Sequence, residues 1–219
     1  MNESFLELLT QNGTKIHLEK NVYLNISRRT PGGNYFYLLE EGICALTSIT
    51  KKGEEAVFLY FYPKRIIGFN QLLMSSSNRS LEFTIITRTP CTLYRISYDI
   101  FQSLLRTSPD FTNFLMQTLA DNYYEVLAHF HRRMDESAVT GLCRLLLSVA
   151  NPSDGLMIVP RFFTYAELAK YLGTHSVTVS RIMAKMKSLG YISKDSRGII
   201  LRKPEFLQAV IDGKNDIIY

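Results

Sequence analysis

The segment TYAELAKYLGTHSVTVSRIMAKMKSLG, Thr164 to Gly190, reads as two short helices joined by a glycine-centred turn. Thr164 is placed to cap the first helix with Glu167 three residues on, a capping box, and Leu168 and Tyr171 supply its apolar side. Gly173 ends that helix where a left-handed residue or a tight turn is wanted. The second helix is expected from about Thr174 to Leu189, with Val179, Met183 and Met186 as its buried stripe. Ser176, Val177, Thr178, Arg181 and Lys185 are left near its outer surface, and 177, 181 and 185 stack one turn apart. A packed helical hairpin with a solvated basic edge would give the same pattern. The next segment, YISKDSRGIILRK, looks like two short strands around the turn Asp195 to Gly198. A helix-turn-helix followed by a charged hairpin is a winged helix, which favours nucleic-acid binding.

The charge supports that reading. Of the formal +5, residues Ala138 to Tyr219 carry 11 Lys plus Arg against 6 Asp plus Glu, whereas 14 basic and 14 acidic residues cancel in Met1 to Ser137. All the excess positive charge lies with the helix-turn-helix, as expected of a duplex-binding module joined to a neutral partner domain. At 46% hydrophobic and 21% charged, the 219 residues are ordinary globular material. Cys44, Cys91 and Cys143 are far apart in sequence and belong to no CxxC pair, so buried thiols in a reducing cytosol are expected, without a disulfide or metal role. MNESFLELL lacks the basic start and apolar run of a signal peptide, and no segment approaches the ~18 apolar residues of a membrane span, so a cytoplasmic protein is expected.

After a helical start at Asn2 to Leu9, short strands are expected at Val22–Ile26, Tyr35–Leu39, Ile43–Ile49, Ala56–Tyr62, Leu81–Thr87 and Thr92–Ile96. Their breaks are rich in glycine and proline, the pattern of an antiparallel sandwich or barrel whose interior suits a small ligand. In the polar stretch Leu72 to Ser80, Arg79 and Ser80 offer an arginine fork and a hydroxyl suited to a phosphate or carboxylate, unless Arg79 is simply solvated. Tyr35, Phe36, Tyr37, Phe58, Tyr60, Phe61 and Tyr62 make the sheet aromatic, mostly as core, with some available to line a pocket. No catalytic or metal-binding constellation is found. His129 and His131 fall on different faces of a helix, the other two histidines are His17 and His175, and the expected strands offer no histidine.

Ser108-Pro109-Asp110 starts a long helix: serine at the cap, proline at the first position, then an acid. It meets no breaker until about Glu136, longer than most globular helices run unpartnered. Met116, Leu119, Tyr123, Val126 and Phe130 recur at the spacing of a two-stranded seam, with Leu115 and Leu127 broadening the surface toward the sandwich. A dimer would present two recognition helices to a two-fold symmetric site; a helix buried in its own domain is the alternative. Asp135 to Ser137 is the expected hinge, before a helix over Ala138–Val149 and a turn at Asn151–Gly155. The expected domains are 1–107 for effector sensing, 108–136 for dimerisation and 137–219 for DNA binding.

Gly173 to Arg181, GTHSVTVSR, followed by IMAKMKSLGYI, resembles the recognition helix of the Crp/Fnr family of bacterial transcription regulators, and the resemblance extends over nearly the whole chain. It implies an α+β fold: an antiparallel double-stranded β-helix (a jelly roll like cyclic-nucleotide-binding domains), a long dimerisation helix and a C-terminal winged helix-turn-helix. It also implies a homodimeric DNA-binding regulator without catalysis, with double-stranded DNA and RNA polymerase as partners. An arginine at the place of Arg181 contacts a guanine in the family. Ser176 and Val177 stand where the commonest members carry arginine and glutamate, and Val177 suits a thymine methyl, so a more A·T-rich half-site is expected. Base readout is thus assigned to Ser176, Val177 and Arg181, and backbone contact to Thr164, His175, Thr178, Ser180, Lys185 and Arg197.

In cyclic-AMP-responsive relatives a Gly-Glu pair holds the ribose and an Arg-Ser pair the cyclic phosphate. Here Arg79-Ser80 is present, but Gly68 is followed by Phe69-Asn70 without the acid, so a cyclic nucleotide is disfavoured. The cysteine cluster of the oxygen-sensing branch has no counterpart before Cys44. HSVTVSR, together with the terminal Tyr219, resembles the halorespiration regulators, which implies an aromatic or halogenated aromatic effector in a pocket of Phe69, Asn70, Arg79, Ser80 and Tyr123. No cofactor or metal is expected. The rival reading is a small-molecule-binding protein whose winged helix docks a protein partner.

Overall fold

The structure, a computed structural model, describes residues 3–24, 34–73 and 83–219. The chain forms two compact units, Met1–Leu127 and Ala128–Tyr219.

The first unit is built on two antiparallel sheets. One has the order β1 (Thr14–Leu18), β7 (Cys91–Ser97), β2 (Tyr35–Glu41), β5 (Arg65–Ile67). The other has the order β4 (Glu55–Phe61), β3 (Cys44–Ile49), β6 (Thr84–Thr87). Strand β2, YFYLLEE, is apolar on both sides because both faces of its sheet are covered. Its inner face shares a core with the second sheet: Tyr37, Leu39, Cys91 and Leu93 meet Cys44, Leu59, Phe61 and Ile85. Its outer face packs Phe36, Leu38, Ile66 and Ile96 against helices: Leu9 of α1 (Glu3–Asn12), Phe69 and Leu72 of α2 (Phe69–Leu73), Phe101 of α3 (Tyr98–Thr107), and Phe111 and Leu115 of α4 (Pro109–Asp135). The Arg88 guanidinium is buried within the unit and is neutralised by Glu55 at 2.6 Å.

The structure corrects several sequence expectations. In place of a strand at Val22–Ile26, Tyr23 makes a single bridge to Ile86, and residues 25–26 lie outside the described ones. The edge strand β1 was not anticipated, since TKIHL interleaves lysine and histidine among its apolar positions and is largely exposed. Nor were β5, α2 and α3, although Ser97 caps α3 by accepting from the Ile100 amide at 3.4 Å. The long helix follows its sequence signals: Ser108 accepts from the Phe111 amide at 3.2 Å and α4 then runs for 27 residues.

In the second unit, α5 (Ala138–Val149) begins at Ser137, whose hydroxyl accepts from the Thr140 amide at 3.1 Å. The expected hinge is tied down: Glu136 pairs with Arg144 at 2.6 Å beside that cap. Strands β8 (Asn151–Ser153) and β9 (Leu156–Pro160) come next, then helices α6 (Tyr165–Leu172) and α7 (Ser176–Ser188). Strands β10 (Ile192–Lys194) and β11 (Gly198–Leu201) and helix α8 (Pro204–Ile211) complete the unit. The hairpin read from YISKDSRGIILRK is present, but it belongs to a four-stranded sheet of order β10-β11-β9-β8. The stretch read as a turn at Asn151–Gly155 is the tip and first strand of the second hairpin, where Asp154 and Gly155 both take positive φ.

Gly198 sits where β11 meets β9. Its φ is 153°, and a Cβ there would collide with the Val159 carbonyl oxygen, a backbone atom that cannot turn aside. Gly198→Ala is therefore expected to destabilise the unit by about 2 kcal/mol or more, measured by denaturant unfolding.

Candidate nucleic-acid interface

Helix α6 starts as its sequence indicates. Thr164 accepts from the Glu167 amide at 3.2 Å, and the Thr164 amide donates to the Phe162 carbonyl at 2.8 Å. Glu167 is buried, with Lys170 3.8 Å from its carboxylate. Gly173 closes α6 in the left-handed conformation, with φ 65° and ψ 35°, and its amide donates to Ala169. The Arg133 guanidinium of α4 lies directly against this turn, and His129, one turn earlier, packs on Tyr171 in a tilted arrangement with ring centroids 4.1 Å apart.

Helix α7 begins at Ser176, two residues later than expected, with His175 as an N-cap that offers no side-chain hydrogen bond. Val179, Ile182, Met183 and Met186 are buried. At 100° per residue this places Val177, Arg181 and Lys185 on the opposite side. All three are exposed, as are His175, Ser176 and Ser180, while Thr178 is half-buried. The helix contains no acidic residue, and among the described residues neither Arg181 nor Lys185 joins an ion pair. Its first amides are free of a side-chain cap, an arrangement suited to a phosphate. The surface thus offers a guanidinium, an ammonium and one valine methyl pair on one helical face, with the hydroxyls of Ser176, Thr178 and Ser180 to either side, the set of groups that reads base edges and phosphates.

Two neighbouring cations are used internally. Lys194 of β10 lies 5.6 Å from the Tyr165 ring centroid, which ties the hairpin to α6. Arg197 donates to Asp195 at 3.0 and 3.1 Å and to Asp154 at 3.1 Å. Accepting from the Arg197 amide and its guanidinium holds the Asp195 carboxyl below its ordinary range.

The remaining predicted residues are distributed unevenly. Phe69 is 2% exposed in the outer core and so is unavailable to an inner pocket, because it anchors α2 on the outer face of the sheet. Asn70 is half-buried, Tyr123 is exposed, and Arg79 and Ser80 lie outside the described residues. On α4, Met116, Leu119, Tyr123 and Phe130 are exposed, whereas Val126 packs against the inner core of the first unit. Leu127, expected to face the sandwich, is exposed instead at 47%, and it continues the outer apolar face to Phe130 and Met134.

Sequence reasoning missed two features of the inner face. Arg95 stands directly across from Tyr37 and its guanidinium lies 4.7 Å from the Tyr35 ring centroid, a pairing that only the register of β2 and β7 reveals. Cys44 and Cys91, 47 positions apart, bring their sulfurs to 3.9 Å. The hydrogen bond between them pushes the Cys91 thiol down and the Cys44 thiol up, while burial pushes Cys143 up to about 12. Among the described residues no group of three or more potential metal ligands forms, and no helix is long and apolar enough to cross a membrane.

With this geometry in place, comparison with known proteins is specific. The family model described as a Crp-like helix-turn-helix domain matches residues 142–210, and the cyclic nucleotide-binding domain matches residues 17–108. The chain has the Crp/Fnr fold, a cyclic nucleotide-binding-like domain followed by a Crp-like helix-turn-helix. Members of this kind are transcription regulators, not enzymes. The chain is 25% identical over 175 residues to the global nitrogen regulator of Synechococcus elongatus, covering 77% of each protein. Its fold is similar to that of FixK2 from Bradyrhizobium japonicum, with TM-score 0.74 and 15% identity over 94% of this chain and 99% of that one. It is also similar to CprK complexed with OCPA, with TM-score 0.61 and 19% identity over 94% and 93%. The TM-score with CprK is lower than that with FixK2, and the halorespiration regulators are not singled out.

Thr164 serves α6 through its hydroxyl oxygen whether or not a duplex is present. Thr164→Ala should lower stability by about 1 kcal/mol in denaturant unfolding without DNA.

Proposed function

We propose that this Crp/Fnr-type regulator acts as a homodimer that reads a two-fold symmetric duplex site through α7. The observation that carries the proposal is the outer face of α7, on which Val177, Arg181 and Lys185 are exposed, without an acidic residue in the helix. Arg181 makes the base contact, to a guanine, with Ser176 and Val177 beside it. Thr164, His175, Thr178, Ser180 and Lys185 contact the backbone. The exposed apolar face of α4, from Met116 through Leu119, Tyr123, Leu127 and Phe130, is the dimer surface, and large exposed apolar stripes on a helix of this length call for a partner. RNA polymerase is the partner implied by the family resemblance.

The first unit is the sensor. Phe69, following Gly68, is committed to core packing where a nucleotide-binding member presents an acid, which argues against a cyclic nucleotide. Tyr35, Tyr37 and Arg95 share the inner face and suit an aromatic anion, in keeping with the aromatic effector read from the sequence. A winged helix that docks a protein instead of DNA is the alternative, and it predicts no salt-dependent duplex binding.

Two variants test the assignment on duplexes of varied sequence. Arg181→Ala should lose about 1–3 kcal/mol on the preferred site and relax its sequence preference. Lys185→Ala should weaken every duplex alike and reduce the salt slope by about 1. Equal losses on preferred and random duplexes for both variants would overturn these roles.

A further inference from the structure

The tip of the wing is where this chain departs from a phosphate-binding hairpin. Three charged side chains converge there: Asp154 from the β8–β9 turn, and Asp195 and Arg197 from the β10–β11 turn. Asp195 is organised before any partner arrives. One of its oxygens accepts from the Arg197 amide at 2.8 Å and the Gly198 amide at 3.3 Å, and the other from the Arg197 Nε at 3.1 Å and Nη2 at 3.0 Å. The remaining terminal nitrogen, Nη1, reaches across to Asp154 at 3.1 Å. The carbonyl of Arg197 accepts from the Arg161 amide at 3.1 Å, which continues the β11–β9 pairing into the turn.

We infer that Arg197 is a positioning residue that latches the wing to the neighbouring turn, and that the wing tip repels the DNA backbone. Within this cluster two carboxylates stand against one guanidinium, a net charge of −1, while Lys194, next to Asp195, lies over the Tyr165 ring and Arg161 follows β9. That count holds wherever the guanidinium points and whatever the strength of these partly exposed ion pairs, which is small. An arginine swung out toward a phosphate would leave two carboxylates beside a polyanion. Affinity for the backbone is then supplied by α7 and its surroundings, and the wing limits it. Such a restraint lowers binding to all duplexes equally, so it reduces occupancy of non-specific DNA and leaves the difference between sites to the base contacts.

This inference rests on the DNA-reading function proposed above, and the experiment separates the two. The full-length protein carrying Asp154→Asn, Asp195→Asn and Arg197→Gln has a neutral tip, and the asparagine introduced by Asp195→Asn keeps the oxygen that accepts from the two amides. Its affinity for a non-specific duplex is measured across a salt series beside wild type and Lys185→Ala. The neutral tip is expected to bind several-fold tighter than wild type at low salt. Weaker binding, with a salt slope shallower by about 1, would show that Arg197 contacts phosphate and would overturn the inference. Wild type that binds no duplex would refute the DNA-reading function itself. A DNA-free arm tests the latch alone: in Arg197→Gln, the Asp195 carboxyl should titrate at higher pH than in wild type by NMR, and an unchanged midpoint would overturn it.

Discussion

The face that α7 shows to solvent is set by the four side chains it buries. Val179, Ile182, Met183 and Met186 occupy one side of the helix, and each contributes ~1.5–3 kcal/mol by leaving water. Rotating α7 to present another face would expose them. This constraint makes Val177, Arg181 and Lys185 a fixed array, and such an array can carry sequence information. The supporting parts serve the same end: Thr164 starts α6, Gly173 turns the chain, and Arg133 and His129 of α4 pack on that turn.

In the first unit the corresponding constraint is the double burial of the β2 sheet. One face meets the second sheet and the other meets four helices, so its central strand β2 is apolar on both sides. That demand explains why Phe69 and Val126 are held in cores. It also explains why the outward apolar face of α4 passes through Leu127. On the same side of the sheet as Tyr37, the exposed Arg95 lies over the Tyr35 ring.

The helix-turn-helix was legible in the sequence because its signals are local: a cap, a glycine and a 3.6-residue period. The same holds for α4, whose Ser-Pro-Asp start and length stand out. What sequence could not supply were relations set by sheet register. The approach of Cys44 to Cys91, the pairing of Arg95 with Tyr37 and the meeting of Asp154 with Arg197 all join residues at least 43 positions apart. Short elements were lost for a different reason: the three residues of β5 or β8 are too few to show a period. Leu127 and Val126 differ by one position on a helix, and only packing tells which of the two is buried.

The central claim is that this chain reads duplex DNA as a two-fold symmetric dimer. Selection of binding sites from random duplex DNA by the purified protein, followed by sequencing, tests it most directly. It should be run alone and with aromatic anions or cyclic nucleotides added. An enriched palindrome with A·T-rich half-sites, obtained alone or with an aromatic anion, is the predicted result. Absence of any enriched sequence under all of these conditions would contradict the account.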